Sequence, residues 1–177
     1  GSLPNWLPPE QSAIAQTLLA HTIRVFNEDL GGQRLVLFAQ LPAAPPLDLP
    51  TPLTFGDSID LVQVGYPGQT PAKSALPVML TWQTSQPLNQ NYHVFIHLLT
   101  PEGEPVAQTD GQPAQWQRPT STWTAGESII DGHALWIPAN TAPGEYLLRV
   151  GLYEPATGRR LPRAGGQEFI EFGLQVK

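Results

Sequence analysis

Apolar and polar residues alternate with a period of two along most of the chain, as they do in half-buried β-strands. A run over 92–100 is apolar on both faces, which favours a strand in the interior of a sheet. Alternating or β-branched runs occupy residues 58–66, 76–84, 106–109, 128–138, 146–153 and 169–176. We therefore expect strands over most of the chain from residue 55 onward.

The first fifty-four residues carry a more mixed pattern. Two β-branched and aromatic runs, 22–26 and 34–40, flank Gly31-Gly32, and they predict a hairpin. Residues 42–52 are rich in proline, which lacks an N–H to donate, so we expect a stiff connector there and not a central strand. Ile14 and Leu18 share a helical face, which favours at most one short helix near residues 9–20. This Pro-rich segment, residues 1–54, should pack on a β-sandwich domain formed by residues 55–177.

Turn signals separate nearly every pair of predicted strands, and no helical pattern alternates with them. Proline occurs 20 times among 177 residues, about twice its ordinary usage. Short strands joined by turns bury their apolar faces best as two antiparallel layers. We expect an all-β fold, an antiparallel β-sandwich of eight or nine strands with at most one short N-terminal helix. Periodicity leaves open whether its topology is immunoglobulin-like or jelly-roll.

Charge and composition exclude several classes of function. The net charge is −6 and only two residues are lysines, so no basic stripe exists to bind nucleic acid. The chain has no cysteine, which excludes thiolate metal sites. No stretch approaches eighteen consecutive apolar residues, so we expect no membrane span within this chain.

Histidines and carboxylates give no convincing metal or catalytic site. His93 and His97 share one strand face but lie about 13 Å apart at roughly 3.3 Å per residue, too far to bind one zinc ion. His133 on another strand could approach one of them, although a half-buried, hydrogen-bonded histidine is the simpler interpretation. Asp57 and Asp110 occupy turn sequences where carboxylates bind local backbone N–H groups. We expect no catalytic residue, no metal, no cofactor and hence no enzyme.

Tryptophans carry the clearest functional signal. Trp82 and Trp136 fall in phase with strand residues, which predicts that both lie in the core. Trp116 and Trp123 instead lie among polar residues of the loop over 110–127. An exposed indole binds the apolar face of a sugar ring, and nearby polar groups bind its hydroxyls; the candidates for that role are Gln115, Gln117, Arg118 and Asp110. The alternative, which we favour, is that Trp116 and Trp123 fold back over the open end of the sandwich. Of the two, Trp123 should be the more buried, because the strand predicted from Ser128 follows only five residues later, and Trp116 in mid-loop should be the more exposed.

An ordered set of sequence blocks over residues 55–165 carries a family resemblance. The blocks are YHVFIHLL (92–99), PEG (101–103), VAQTD (106–110), PTSTW (119–123), GE (126–127), Asp131, LWIP (135–138), PGEY (143–146), LRVGLYEP (148–155) and TGR (157–159). Together they resemble the C-terminal β-sandwich domain of bacterial, Chloroflexi-type membrane glycosyltransferases similar to dolichyl-phosphate-mannose–protein mannosyltransferases. The first fifty residues match no family.

This resemblance implies a domain outside the cytoplasmic membrane, tethered through its parent protein, whose catalytic carboxylates lie elsewhere in that parent. The expected function is therefore a non-catalytic extracytoplasmic accessory domain that positions the acceptor or mediates assembly. Its partners would be a glycan or the membrane-embedded part of the same protein. Two alternatives stay open: a carbohydrate-binding module with affinity of its own, and a structural self-association domain with open sheet edges.

Overall fold

The computed structural model describes residues 22–29, 34–40 and 47–177. Eleven strands and one short 3-10 helix cover much of these ranges. The strands are β1 (Thr22–Asp29), β2 (Arg34–Gln40), β3 (Leu47–Phe55), β4 (Ile59–Gly65), β5 (Gln69–Thr70), β6 (Ser74–Thr84), β7 (His93–Leu99), β8 (Pro105–Gly111), β9 (Ile129–Ile137), β10 (Gly144–Tyr153) and β11 (Ile170–Val176), and the 3-10 helix is Thr120–Thr122. The helix predicted near residues 9–20 lies outside the described residues.

Two sheets form the body of the molecule, and they confirm the predicted all-β sandwich. One sheet has the order β3-β4-β6-β9 and the other has the order β5-β11-β10-β7-β8. Neighbouring strands are antiparallel except for β5 and β11, which pair in parallel. The inward faces of both sheets supply a single apolar core, in which Trp82, Leu80, Ile96 and Leu148 are fully buried. Burying this contiguous apolar surface is what holds the two layers together.

A separate two-stranded hairpin, β1-β2, covers part of the outer face of the four-stranded sheet. Ile23 of β1 is buried against Ala134 of β9, and Met79 of β6 packs beside them. Gly132 makes this approach possible, because a Cβ there would stand 3.1 Å from the Ile23 side chain. The two runs around Gly31-Gly32 are thus paired antiparallel, and they lie on the sandwich.

Residues 47–52 correct the prediction of a connector over 42–52, because they belong to β3. Pro50 and Pro52 are tolerated there because β3 is the edge strand of its sheet and pairs only with β4. The register shifts between Asp48 and Leu53, where the prolines interrupt the ladder. The two sheets of the sandwich contain five and four strands, which agrees with the eight or nine expected, although the sequence pattern did not locate β3 and the two-residue β5.

Trp136 is a second correction. Its place in the alternation of β9 predicts a core residue, but its side chain is 41% exposed. The core face of β9 carries the odd-numbered residues, among them Leu135 and Ile137, so Trp136 points to the outer face, as does the exposed Ile130 six residues earlier. The error arises because β9 is apolar on both faces, and periodicity alone does not say which face is inside.

Candidate functional site

The connection from β8 to β9 begins with a tight left-handed turn. Ala114, Gln115 and Trp116 have φ angles of 53°, 54° and 73°. Each non-glycine residue in this region costs roughly 1–2 kcal/mol, because Cβ crowds the carbonyl oxygen that follows. Strained backbone of this kind persists only where surrounding contacts hold it, and it is concentrated at functional sites.

Asp131 is one of the contacts that hold this turn. Its carboxylate is fully buried, and Oδ1 accepts a 2.7 Å hydrogen bond from the Ala114 backbone N–H. Oδ2 accepts from the indole N–H of Trp82 at 3.0 Å and lies 2.8 Å from Nε2 of His133. Because both Asp131 oxygens accept, Nε2 of His133 carries the proton in this contact. The network ties the core, β9 and the strained turn together.

A cleft of about 210 Å³ lies beside the turn, where β8 and β9 approach each other next to β1. Its lining residues come from three strands and the turn: Arg24, Val25, Thr109, Asp110, Gly111, Gln112, Gln115, Trp116, Gly132, His133 and Ala134. The register of β1 shifts between Arg24 and Phe26, which leaves Val25 opposite no residue of β2. A bulge of this kind redirects side chains, and here two successive residues of β1 line the same cleft. The Arg24 backbone N–H also donates to Oε1 of Gln115 at 3.3 Å.

Trp116 forms the rim of the cleft. Its side chain is 47% exposed, and its ring lies over β8, where a Cβ on Gly111 would be 3.0 Å from Nε1 of the indole. The ring also contacts His93 edge-on, with centroids 5.1 Å apart. Gly111 and His93 therefore form the floor on which the indole rests, and much of the ring remains open to solvent.

Behind Trp116, a chain of hydrogen bonds crosses the outer face of the five-stranded sheet. The Tyr153 hydroxyl donates to Oδ2 of Asp110, and Nδ1 of His93 lies 3.3 Å from the same hydroxyl. Burial, followed by the hydrogen bond and charge of Asp110, raises the pKa of Tyr153 to about 12, so the hydroxyl remains a donor. Burial lowers the pKa of His93, although the charge of Asp110 opposes the shift. These contacts fix Asp110 and His93 beside the indole.

The structure brings three of the predicted ligand-binding residues together and separates the others. Asp110, Gln115 and Trp116 line the cleft, whereas Gln117 is exposed outside its lining. Trp123 is only 2% exposed and belongs to the main core, with its N–H donating to the Arg118 carbonyl at 3.1 Å. The Arg118 guanidinium pairs with Glu127 at 2.7 Å. Trp123 therefore closes the sandwich and takes no part in an exposed platform.

The sequence did not assign Arg24, Gln112, Asp131 or His133 to the ligand-binding residues, although it indicated a hydrogen-bonded role for His133, which the contact with Asp131 confirms. One usable signal was present. Asp131 and His133 fall in phase with the buried Ile129, Leu135 and Ile137 of β9, so two polar groups had to enter the core and find partners. Arg24 left no such signal, because its place at the cleft depends on where the hairpin packs. His133 belongs to the four-stranded sheet, whereas His93 and His97 lie in the other one.

Within the described ranges, no group of three or more His, Asp or Glu side chains is placed to hold a metal ion. No helix in that part of the chain is long and apolar enough to cross a membrane. The residues that line the cleft instead include a half-exposed tryptophan, two glutamines, an arginine, a histidine and an aspartate. This combination suits a small polar ligand with one apolar face.

Comparisons with known proteins bear on the fold. No family model matches the chain, and no curated protein matches it. Among solved structures, the C-terminal domain of Wzt is similar with a TM-score of 0.54 at 12% identity, covering 75% of this chain and 82% of that one. The CARDB domain of a Pyrococcus furiosus protein, solved with di-metal ions, gives a TM-score of 0.41 at 13% identity, covering 78% and 100%. A Niemann-Pick type C2 protein from the Japanese carpenter ant gives 0.43 at 9% identity, covering 72% and 94%. The Wzt similarity establishes a shared β-sandwich fold, and the other two carry no argument.

Proposed function

We propose that this chain is a non-catalytic accessory domain that binds a saccharide in the cleft beside Trp116. The observation that carries the proposal is the Trp116 indole, held half-exposed at the rim of a polar cleft by a strained turn. A pyranose presents an apolar face of C–H groups that packs on an indole, while its hydroxyls need donors and acceptors nearby. Gln112, Gln115 and Asp110 supply those groups on the cleft wall.

Trp116, Gly111 and His93 form a platform whose rigidity favours ligand binding. A ring that is already oriented loses little conformational freedom when a ligand arrives. Trp116 is fixed from below by Gly111 and His93 and through its backbone by the turn that Asp131 holds. Trp116 differs in this from Trp123 of the same connection, whose ring is buried in the core and cannot contact a ligand.

A glycan array with matched tryptophan variants tests this proposal. Trp116→Ala should abolish binding to any glycan that the native domain retains. Trp136→Ala is the control, because Trp136 is 41% exposed against 47% for Trp116 but does not line the cleft. Native-like binding by Trp136→Ala, with binding lost in Trp116→Ala, supports the proposal. Equal binding by all three proteins, or binding by none, contradicts it.

Gly111→Ala gives a subtler test of the same platform. The added methyl would stand 3.0–3.2 Å from the Trp116 ring, so the exposed indole must shift by a few tenths of an ångström. Gly111 has no positive φ, so the alanine causes no backbone strain of its own. We expect weakened glycan binding with little change in stability. Unchanged affinity would show that the ring is not the ligand-binding surface.

In the cell, we propose that the domain belongs to a membrane glycosyltransferase-like protein and lies outside the cytoplasmic membrane, where it positions an acceptor. The sequence blocks over residues 55–165 support this context. Protease treatment of intact spheroplasts that express the full-length parent is the test. Cleavage of this domain without lysis is the expected result, whereas protection until lysis would place it in the cytoplasm.

Self-association is a second candidate, and it rests on a different surface. Ile130 and Trp136 are 65% and 41% exposed on the outer face of β9. Burying them between two copies would be favourable. Analytical ultracentrifugation of the native domain and of Trp136→Ala decides this candidate. A native dimer that the substitution dissociates supports it, and a native monomer up to high micromolar concentration rules it out.

A further inference from the structure

We infer that the saccharide in this cleft is acidic, with a carboxylate that pairs with Arg24. The inference rests on the proposed function, since it names the chemical class of ligand for the same cleft. Arg24 is half-buried in the lining, and no carboxylate whose side chain the structure describes pairs with its guanidinium. A partly desolvated arginine without a counter-ion is a ready partner for a planar anion.

Other cations of the chain show what Arg24 lacks. Arg118 pairs with Glu127, and Arg149 pairs with Glu171 through two nitrogens. Arg160 and Arg163 lie over aromatic rings. Arg24, by contrast, enters the cleft at a bulge of β1, beside a backbone N–H that is already bound to Gln115. Among the residues whose side chains the structure describes, no carboxylate pairs with the Arg24 guanidinium, and Arg24 lines the same cleft as Trp116, so one sugar ligand could contact both.

Two carboxylates near the cleft bear on the charge of the ligand. Asp131 is fully buried, and Trp82, Ala114 and His133 occupy its oxygens. Asp110 lines the opposite, β8 wall and accepts from the Tyr153 hydroxyl. Its charge disfavours an anion on that side, so the ligand carboxylate should lie toward β1 and β9. His133 stands on the β9 wall, where a neutral or protonated imidazole adds no opposing charge.

The net charge of the protein does not by itself favour an acidic ligand. The net charge is −6, so long-range electrostatics disfavour any anion. Preference for an acidic glycan would have to come from local pairing at Arg24. At about 0.15 M salt the long-range repulsion is largely screened, and a contact pair in a half-buried cleft is screened much less.

Direct binding measurements on paired probes test the inference. Each uronate-containing oligosaccharide is compared at about 0.15 M salt with its own methyl ester, which keeps the sugar and linkage and removes the charge. We expect the acid to bind roughly tenfold or more tighter than the ester, since a charge-assisted contact is lost. Arg24→Gln should remove that preference, and Arg24→Lys should retain part of it. Lys73→Gln, which removes the same charge at a residue outside the cleft, is the control and should leave the preference intact.

The outcomes separate this inference from the proposed function. Equal binding of acid and ester, with Trp116→Ala still inactive, overturns the acidic ligand and leaves the saccharide site standing. A preference for the acid that survives in Arg24→Gln also overturns the inference, because a group other than Arg24 must then bind the ligand carboxylate. No binding of any probe, charged or neutral, contradicts both. Loss of the preference in Arg24→Gln alone supports the inference.

Discussion

The two halves of the β8–β9 connection differ in composition and in the burial of their tryptophans. Residues 112–118 contain three glutamines and neither threonine nor serine, whereas residues 119–128 contain three threonines, two serines and no glutamine; each half contains one proline and one tryptophan. Trp123 of the second half is 2% exposed, whereas Trp116 of the first half is 47% exposed. Trp116 lies in mid-loop between Gln115 and Gln117, whereas the strand predicted from Ser128 follows Trp123 by five residues, so the sequence predicts Trp123 to be the more buried ring. The contacts that tie each half to the sandwich produce the difference.

Hydrogen bonds to the segment before β7 draw the second half inward. Thr120 is fully buried, and its hydroxyl donates to the Gln90 carbonyl and accepts from the Tyr92 N–H. The 3-10 helix that follows turns Trp123 into the core. The first half is tied at its turn, where the Ala114 N–H donates to Asp131 and Gln115 accepts from the Arg24 N–H, and Trp116 lies outside the core over Gly111. One connection thus contains a tryptophan that fills the core and another that remains half-exposed at the proposed ligand site.

Replacing each tryptophan by alanine should give the largest contrast between the two halves. Trp123→Ala removes a buried indole and should lower the free energy of unfolding by roughly 3–5 kcal/mol. Trp116→Ala should cost less than about 1 kcal/mol, because most of the lost area is already exposed. Urea denaturation of both variants measures the two losses. Similar losses would mean that both rings serve the core.

Asp131 should matter nearly as much for stability, and it should also affect the platform. Asp131→Ala leaves the Trp82 and Ala114 N–H groups without an acceptor, which we expect to cost about 3 kcal/mol. Hydrogen exchange at residues 112–118 should increase, while residues 119–122 keep their protection. If exchange rises equally over both halves, Asp131 does not hold the platform specifically. Thr120→Val is the reciprocal variant, because it removes the hydroxyl that hydrogen-bonds the second half to Gln90 and Tyr92.

Relieving the strained turn should produce a smaller effect of opposite sign. Ala114 has a φ of 53°, which glycine adopts without steric cost. We expect Ala114→Gly to raise the stability by up to about 1 kcal/mol, because relief of strain exceeds the added chain entropy of the unfolded state. Ala107→Gly, in a β-strand with no such strain, is the control and should be destabilising. A loss of stability in Ala114→Gly would argue that the turn is unstrained.

Mild acid should have the smallest effect on stability. It should act through His93, which contacts Trp116, and through His97 on the same strand. Burial lowers the pKa of both His93 and His97, and for His97 the charges of Arg160 and Arg149 add to the shift. The unfolded chain therefore takes up protons first as the pH falls through about 6.5, so stability should decline from there toward the folded-state pKa values. Urea midpoints at pH 7.5 and 5.5 measure the decline. A double variant, His93→Gln with His97→Gln, should lose most of it.

Strand positions were the part of this molecule that could be predicted best. Alternation located β6, β7, β10 and β11 to within a few residues, because each has one face in a common core and the other face outside. The prediction failed at Trp136 and at the prolines of β3. Both failures concern which face of a strand is buried or whether the strand lies at the edge of its sheet. Neighbouring strands determine both properties.

At the candidate site, local sequence identified the indole but not its partners. Trp116 was recognisable as a tryptophan among polar residues, and Gln115 and Asp110 lie within six residues of it. Arg24 and His133 reach the same cleft from β1 and β9, far away in the chain. No local pattern could have joined them, because the hairpin packs where Gly132 leaves room for Ile23.

By itself, the sequence determined an all-β chain, its turns, its lack of a thiolate site and the presence of two tryptophans in a polar loop. These properties follow from side-chain chemistry and from the period of two, which every half-buried strand shares. Only the tertiary structure decided which contacts place Trp123 in the core and Trp116 over Gly111, and that Arg24 lines the same cleft as Trp116. The physical reason is that the burial of a side chain and the pairing of its polar groups depend on which distant segments come into contact. Here the hydrogen bonds of the buried Asp131 and Thr120 hold such segments together.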